Sequence, residues 1–134
     1  MGRCSMKQRE QAMMLLEKAC HDQTLVEKNA GDEEIADDMI GFHCQQAVEK
    51  LLKALLSALG VRFRRTHDLL EMMDLLADSG RPVPADLQEL ETLTPYAVLL
   101  RYDAPVPDLS LDRQKALDIV HRVRAWVEPQ LTTE

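Results

Sequence analysis

At 134 residues the chain has room for one domain of ordinary size. Its formal net charge of -7 excludes a dedicated duplex-DNA binder, which needs a basic surface for phosphate contacts and counterion release. No uninterrupted apolar run exceeds five residues, while a bilayer span needs roughly 18 or more, so no contact with membrane is expected. Lys7, Arg9 and Glu10 interrupt any signal-like apolar stretch near Met1. The odd set of three cysteines, Cys4, Cys20 and Cys44, fits a reduced cytoplasmic compartment.

Leu and Ala fill 34 positions against 12 for Val and Ile, which favours helices because β-branched side chains lose more rotamer freedom there. The first helix is predicted over residues 6–28, with Met6, Met13, Leu16, Cys20 and Thr24 recurring at offsets of three, four and seven. Asn29-Ala-Gly31 reads as its stop, and Asp32-Glu-Glu34 as an acidic restart suited to a helix N-terminus. The second helix is predicted over residues 33–59, ending at Gly60.

On a wheel of about 100° per residue, the apolar side chains between Cys44 and Leu59 cover an arc of roughly 200°. That is wider than a surface helix needs, so this helix is expected at the centre of a bundle. His43, Gln46, Lys50, Lys53 and Ser57, spaced three or four apart, share the remaining polar stripe. Gln45 falls elsewhere on the wheel beside Glu49, facing solvent or a partner subunit.

A short basic loop, Val61-Arg-Phe-Arg-Arg-Thr66, follows. The third helix is predicted to start near His67 or Asp68 with Thr66 as its N-cap, to bury Leu69, Met72, Met73 and Leu76, and to stop at Ser79-Gly80. A short helix is expected over residues 84–93, because proline suits a first helical position. Thr94-Pro95 reads as the cap of another, running to Arg101 or Tyr102. Two prolines then force an extended loop over residues 103–108. The last helix, residues 110–127, sets Ala116, Ile119, Val120, Val123 and Val127 on one side. The expectation is one all-α domain over residues 1–134, an antiparallel up-and-down bundle of four to five helices.

Phe42-His-Cys-Gln-Gln-Ala-Val-Glu-Lys50, the Gly60 stop, Thr66-His-Asp-Leu69, Tyr96 and Leu100-Arg-Tyr102 together resemble the HEPN domain family. The order and spacing of these pieces match over residues 7–128. The resemblance implies a helical bundle that forms homodimers, is found in prokaryotes, and is often paired with a minimal nucleotidyltransferase in toxin–antitoxin-like systems. Many members are metal-independent ribonucleases; others are noncatalytic modules that bind RNA or nucleotides.

The ribonuclease branch carries an Arg followed four to six residues later by a His, a pair able to stabilise phosphate charge and move a proton at a ribose hydroxyl. The counterpart of that Arg is Arg101, but residues 102–112 contain no His. The protein is therefore expected to bind nucleotide or RNA, or to partner a nucleotidyltransferase, without catalysis of its own. The alternative is a metal-independent ribonuclease using a displaced pair, since Arg62 to His67 has the right spacing in a different place. His43, His67 and Arg101 are the catalytic candidates under that alternative.

The expected ligand site lies where His43, Gln46 and Lys50 approach Arg101 and Tyr102. Lys50 and Arg101 would hold phosphate, and His43 and Gln46 would bond base or ribose. Plainer roles stay open for each: His43 as a solvated histidine, Arg62, Arg64 and Arg65 as cations beside a helix C-terminus, Arg101 as a bundle-end ion pair. No metal or cofactor is expected. Asp118-x-x-His121 stands alone where a di-iron bundle needs two such pairs. There is no Cys-x-x-Cys and no glycine-rich phosphate loop. The seven methionines read as gap-filling core.

Overall fold

The computed structural model describes residues 5–100 and 110–132. Within them the chain forms α1 (Met6–Asn29), α2 (Asp37–Ala58), α3 (Leu69–Asp78), a run of 3₁₀ turns (Ala85–Leu100) and α4 (Arg113–Leu131). There is no strand among the described residues, and the expected all-helical bundle is what forms.

α1 opens with a capping box: Ser5 Oγ accepts from the Gln8 N–H at 3.1 Å, and Gln8 Oε1 accepts from the Ser5 N–H at 2.7 Å. Its buried line is Ala12, Leu16, Ala19, Gln23 and Val26. This corrects the stripe expected from the sequence, which shares only Leu16; Met6 is 76% exposed and Met13 is also exposed. Small residues form the seam because Ala12 and Ala19 let two helix backbones approach closely. α2 returns antiparallel to α1, so that Leu25 faces Met39 and Ile40 at one end of the pair. Gln8 and Gln11 meet Ser57 and Val61 at the other.

The link between them differs from expectation. Asp32, Glu33 and Glu34 belong to it and not to the first turn of α2: Asp32 Oδ1 accepts from the Glu34 N–H at 2.9 Å, and the helix starts on Asp37 and Asp38. Arg113 pins the link from the start of α4, donating to the carbonyls of Ala30, Asp32 and Ile35 and to Asp37 Oδ1.

α2 packs on all four other elements. Cys44, Ala47, Val48, Leu51, Leu52, Ala54, Leu55 and Leu56 are all buried, as the wide apolar arc requires. The helix closes where Gly60 takes a φ of 72° and the Val61 N–H reaches the Leu56 carbonyl at 2.9 Å. Gly80 ends α3 the same way, with the Arg81 N–H on the Leu76 carbonyl at 2.8 Å.

The N-cap of α3 is Asp68, not Thr66. Asp68 Oδ1 accepts from the Leu70 N–H at 3.0 Å, while Thr66 Oγ1 accepts from the Asp68 N–H one step earlier. The two short helices expected after Pro84 are instead one run of 3₁₀ turns passing through Pro95. Its buried residues Leu87, Leu90, Leu93 and Tyr96 recur every third position, which is the 3₁₀ period and not the α period. Thr94 Oγ1 accepts from the Leu69 N–H of α3. α4 begins at Arg113 on an Asp112 cap, three residues later than expected, and buries its predicted face. Met72 and Met73 fill the core, but Met6, Met13, Met14 and Met39 are exposed.

Candidate functional site

The α2 stripe forms a band of half-buried polar side chains around two carboxylates, one largely covered and one buried. The first is Asp22 of α1, which the sequence reading did not single out. Its Oδ1 lies 3.0 Å from His43 Nδ1, and its Oδ2 accepts from Lys50 Nζ at 2.6 Å. Asp22 is 12% exposed, against 22% for His43 and 23% for Lys50. Lys50 is therefore a cation already paired, and an incoming phosphate would share it with Asp22.

The second carboxylate is Glu49, on α2 itself. Oε1 lies 2.8 Å from His67 Nδ1 and accepts from Gln45 Nε2 at 3.0 Å; Oε2 accepts from Lys53 Nζ at 3.1 Å. Gln45 Nε2 also donates to the His67 carbonyl at 3.2 Å, and Gln46 Nε2 donates to Gln45 Oε1 at 2.8 Å. Gln45 is fully buried, so it faces neither solvent nor a partner. Burial without these partners would cost several kcal/mol, at roughly 1–3 per unsatisfied group. Lys53 also lies over the Phe63 ring, 5.7 Å from its centroid.

His67 is half exposed. It turns to Glu49, while His43 turns to Asp22, so each imidazole has its own carboxylate. A carboxylate that accepts a hydrogen bond from Nδ1–H favours the tautomer in which Nε2 is the basic nitrogen. Lys50 and Lys53 stand against Asp22 and Glu49, one cation for each carboxylate. The band can bond polar groups and exchange a proton through either Nε2.

The basic loop contributes unevenly. Arg64 forks onto Glu71 of α3, with its Nη2 2.7 Å from Oε1. Arg62 and Arg65 are exposed and make no ion pair among the described residues. Arg101 and Tyr102, expected to complete the site, lie outside the described residues. His121 is away from the band, with Nε2 2.7 Å from Glu27 Oε2. Among the described residues no group of three or more His, Cys, Asp or Glu side chains could hold a metal ion.

Beyond His43 the band gives way to an apolar groove of about 540 Å³ between the end of α1 and the start of α2. Leu25, Ile35, Ala36, Met39 and Ile40 line it. Cys44 is buried one turn further along α2, and its burial pushes the thiol up to about 12. On the opposite side Tyr96 packs against Gly41, and burial together with Asp37 and Asp38 raises its phenol above the ordinary value. Glu49 lies within the Phe42-to-Lys50 string that carries the family resemblance, whereas no sequence pattern announces Asp22, whose partners come from another helix.

The family model for the HEPN domain matches residues 12–130. No curated protein and no solved structure matches the chain.

Proposed function

We propose a function from one premise: this chain belongs to the HEPN domain family. The protein is a noncatalytic module that binds a nucleotide or a short RNA segment through the α2 band. One observation carries this reading: His43, Gln46 and Lys50 stand partly exposed in one row, two of them held by Asp22. Lys50 with Arg101 receives phosphate, and His43 and Gln46 meet base or ribose, with Tyr102 beside them. The band requires no resident cofactor. The module is cytoplasmic, works as a homodimer, and partners a minimal nucleotidyltransferase of a prokaryotic toxin–antitoxin-like pair.

Calorimetric titration with AMP, GMP and a short RNA tests the binding role. Saturable heat that Lys50→Ala weakens about tenfold, the loss of one favourable charge contact, is the expected result. No heat with any of the three at millimolar concentration removes the binding reading. Co-purification with the product of a neighbouring nucleotidyltransferase gene tests the partner role, and light scattering tests the dimer.

A second reading has its own observation, the Glu49–His67 pair at 2.8 Å with His67 half exposed beside Arg62 and Arg65. That geometry suits a proton acceptor for a ribose 2′-hydroxyl in metal-independent RNA cleavage. RNA degraded in EDTA by the wild type but not by His67→Ala would favour it over the noncatalytic module.

A further inference from the structure

We infer that the apolar groove between α1 and α2 is the seat of a planar heteroaromatic ring, the base of the nucleotide, with His43 Nε2 bonding its edge. The inference rests on the binding role proposed above and names the part of the site that reads the ligand.

The groove is about 540 Å³, within the range of small-molecule sites, roughly 300–1,000 Å³. Its walls are mainly aliphatic, with Leu25 from α1, Ile35 and Ala36 from the link, and Met39 and Ile40 from the first turn of α2; Asn29 and Glu34 line it as well. Leu25 and Met39 are exposed, so apolar area that would otherwise face water is ready to be covered. A ribose or phosphate gains nothing on such a surface, whereas the face of a base does.

The polar edge is equally specific. His43 lines the groove, and its Nδ1 is engaged by Asp22 Oδ1 at 3.0 Å. The ring packs edge to face on Phe42, with centroids 5.1 Å apart. Both contacts fix its orientation and leave Nε2 as an acceptor. An N–H on the edge of a base supplies the matching donor. Lys50 shares Asp22 with His43, which puts a cation for phosphate next to the histidine on the side away from the groove. Apolar wall, imidazole and cation therefore stand in the order base, edge, phosphate.

Three other features carry less. The pocket at Thr92, Tyr96 and Lys115 borders residues outside the described set. The one at Gln8 and Arg62 is smaller, about 250 Å³. The buried Cys44 has no second group to act with.

The test is methyl-detected NMR of the full chain, titrated with AMP, adenosine and ribose 5-phosphate. A base stacked on the groove shifts the Met39, Leu25 and Ile40 methyls by ring current, with AMP and adenosine both effective and ribose 5-phosphate silent there. Met39→Gln and Leu25→Gln, at exposed positions, weaken AMP about tenfold while leaving the fold intact. AMP binding that neither substitution weakens overturns the groove assignment and leaves the binding role standing. No response to AMP or adenosine at millimolar concentration overturns both. Shifts of the same methyls with protein concentration alone place a second copy in the groove and overturn the assignment.

Discussion

Glu49 and His67 face each other across 2.8 Å, joining the middle of α2 to the residue just before the cap of α3. The contact spans 18 residues of sequence and ties the basic loop down to the central helix. Lys53 and Gln45 hold the same carboxylate, so Glu49 organises the loop whatever the loop does.

Glu49→Ala leaves Lys53 and Gln45 half-buried or buried with an acceptor lost, and removes the anchor of His67. The expected destabilisation is about 2–4 kcal/mol, most of it from stranded polar groups. Glu49→Gln keeps one acceptor and should cost roughly half as much. Urea denaturation measures both, and equal losses would mean that the carboxylate charge carries the whole effect and the acceptor kept by glutamine counts for nothing.

Asp22 already holds Lys50, so a phosphate that reaches this ammonium meets a like charge beside it. Asp22→Asn should therefore tighten AMP binding, by about three- to tenfold, the effect of removing one like charge at close range. Lys50→Ala acts in the opposite direction. Calorimetry on the two variants checks the pair of signs, and weaker binding in Asp22→Asn would mean that holding His43 in place outweighs the like charge.

A β-carbon on Gly41 would lie 2.3 Å from Cδ1 of the Tyr96 ring. Gly41→Ala forces that ring away and should cost about 1–3 kcal/mol. Pairing it with Tyr96→Ala should give a double variant less destabilised than the sum of the two single changes. Additive losses in denaturation would contradict the contact.

Arg113 closes the α1–α2 link through three carbonyls and Asp37. Lysine has one ammonium where arginine has a fork, so Arg113→Lys cannot replace these bonds. Hydrogen exchange should speed up over residues 30–37 and stay slow in the core of α2. Unchanged exchange in the link would show that the contacts there do not hold it.

Cys44 ionises near 12 in the folded chain against an ordinary 9.0 because it is buried. Between those values the unfolded chain has lost the proton and the native chain keeps it. Stability is thus full below about pH 9 and falls as pH rises, by about 1 kcal/mol per pH unit for this thiol. Cys20, raised first by burial, and Tyr96, raised first by burial, tilt the alkaline side the same way. Cys44→Ala should flatten the slope in denaturation at pH 9 to 11.

The central position of α2 was legible because an apolar arc so wide has only one place to go in a bundle. The stripe of His43, Gln46 and Lys50 was legible from spacing alone. Two of the other readings failed for local reasons. The capping of α3 depended on which of two neighbouring oxygens reached a free N–H. The 3₁₀ run was visible as the three-residue spacing of Leu87, Leu90, Leu93 and Tyr96, but Thr94-Pro95 looked like a stronger signal.

Helical period determined by itself the apolar face that α2 buries and the row of His43, Gln46, Lys50 and Lys53, since both follow from 3.6 residues per turn; Ser57, expected in that row, is buried. The tertiary structure alone decided what those polar groups touch. Asp22 reaches His43 and Lys50 across 21 and 28 residues, and His67 reaches Glu49 across 18. Gln45 looked exposed on a wheel and is buried because a chain segment 22 residues away supplies its acceptor. Periodicity acts along one helix, whereas satisfying a buried polar group depends on which helix comes to lie beside it.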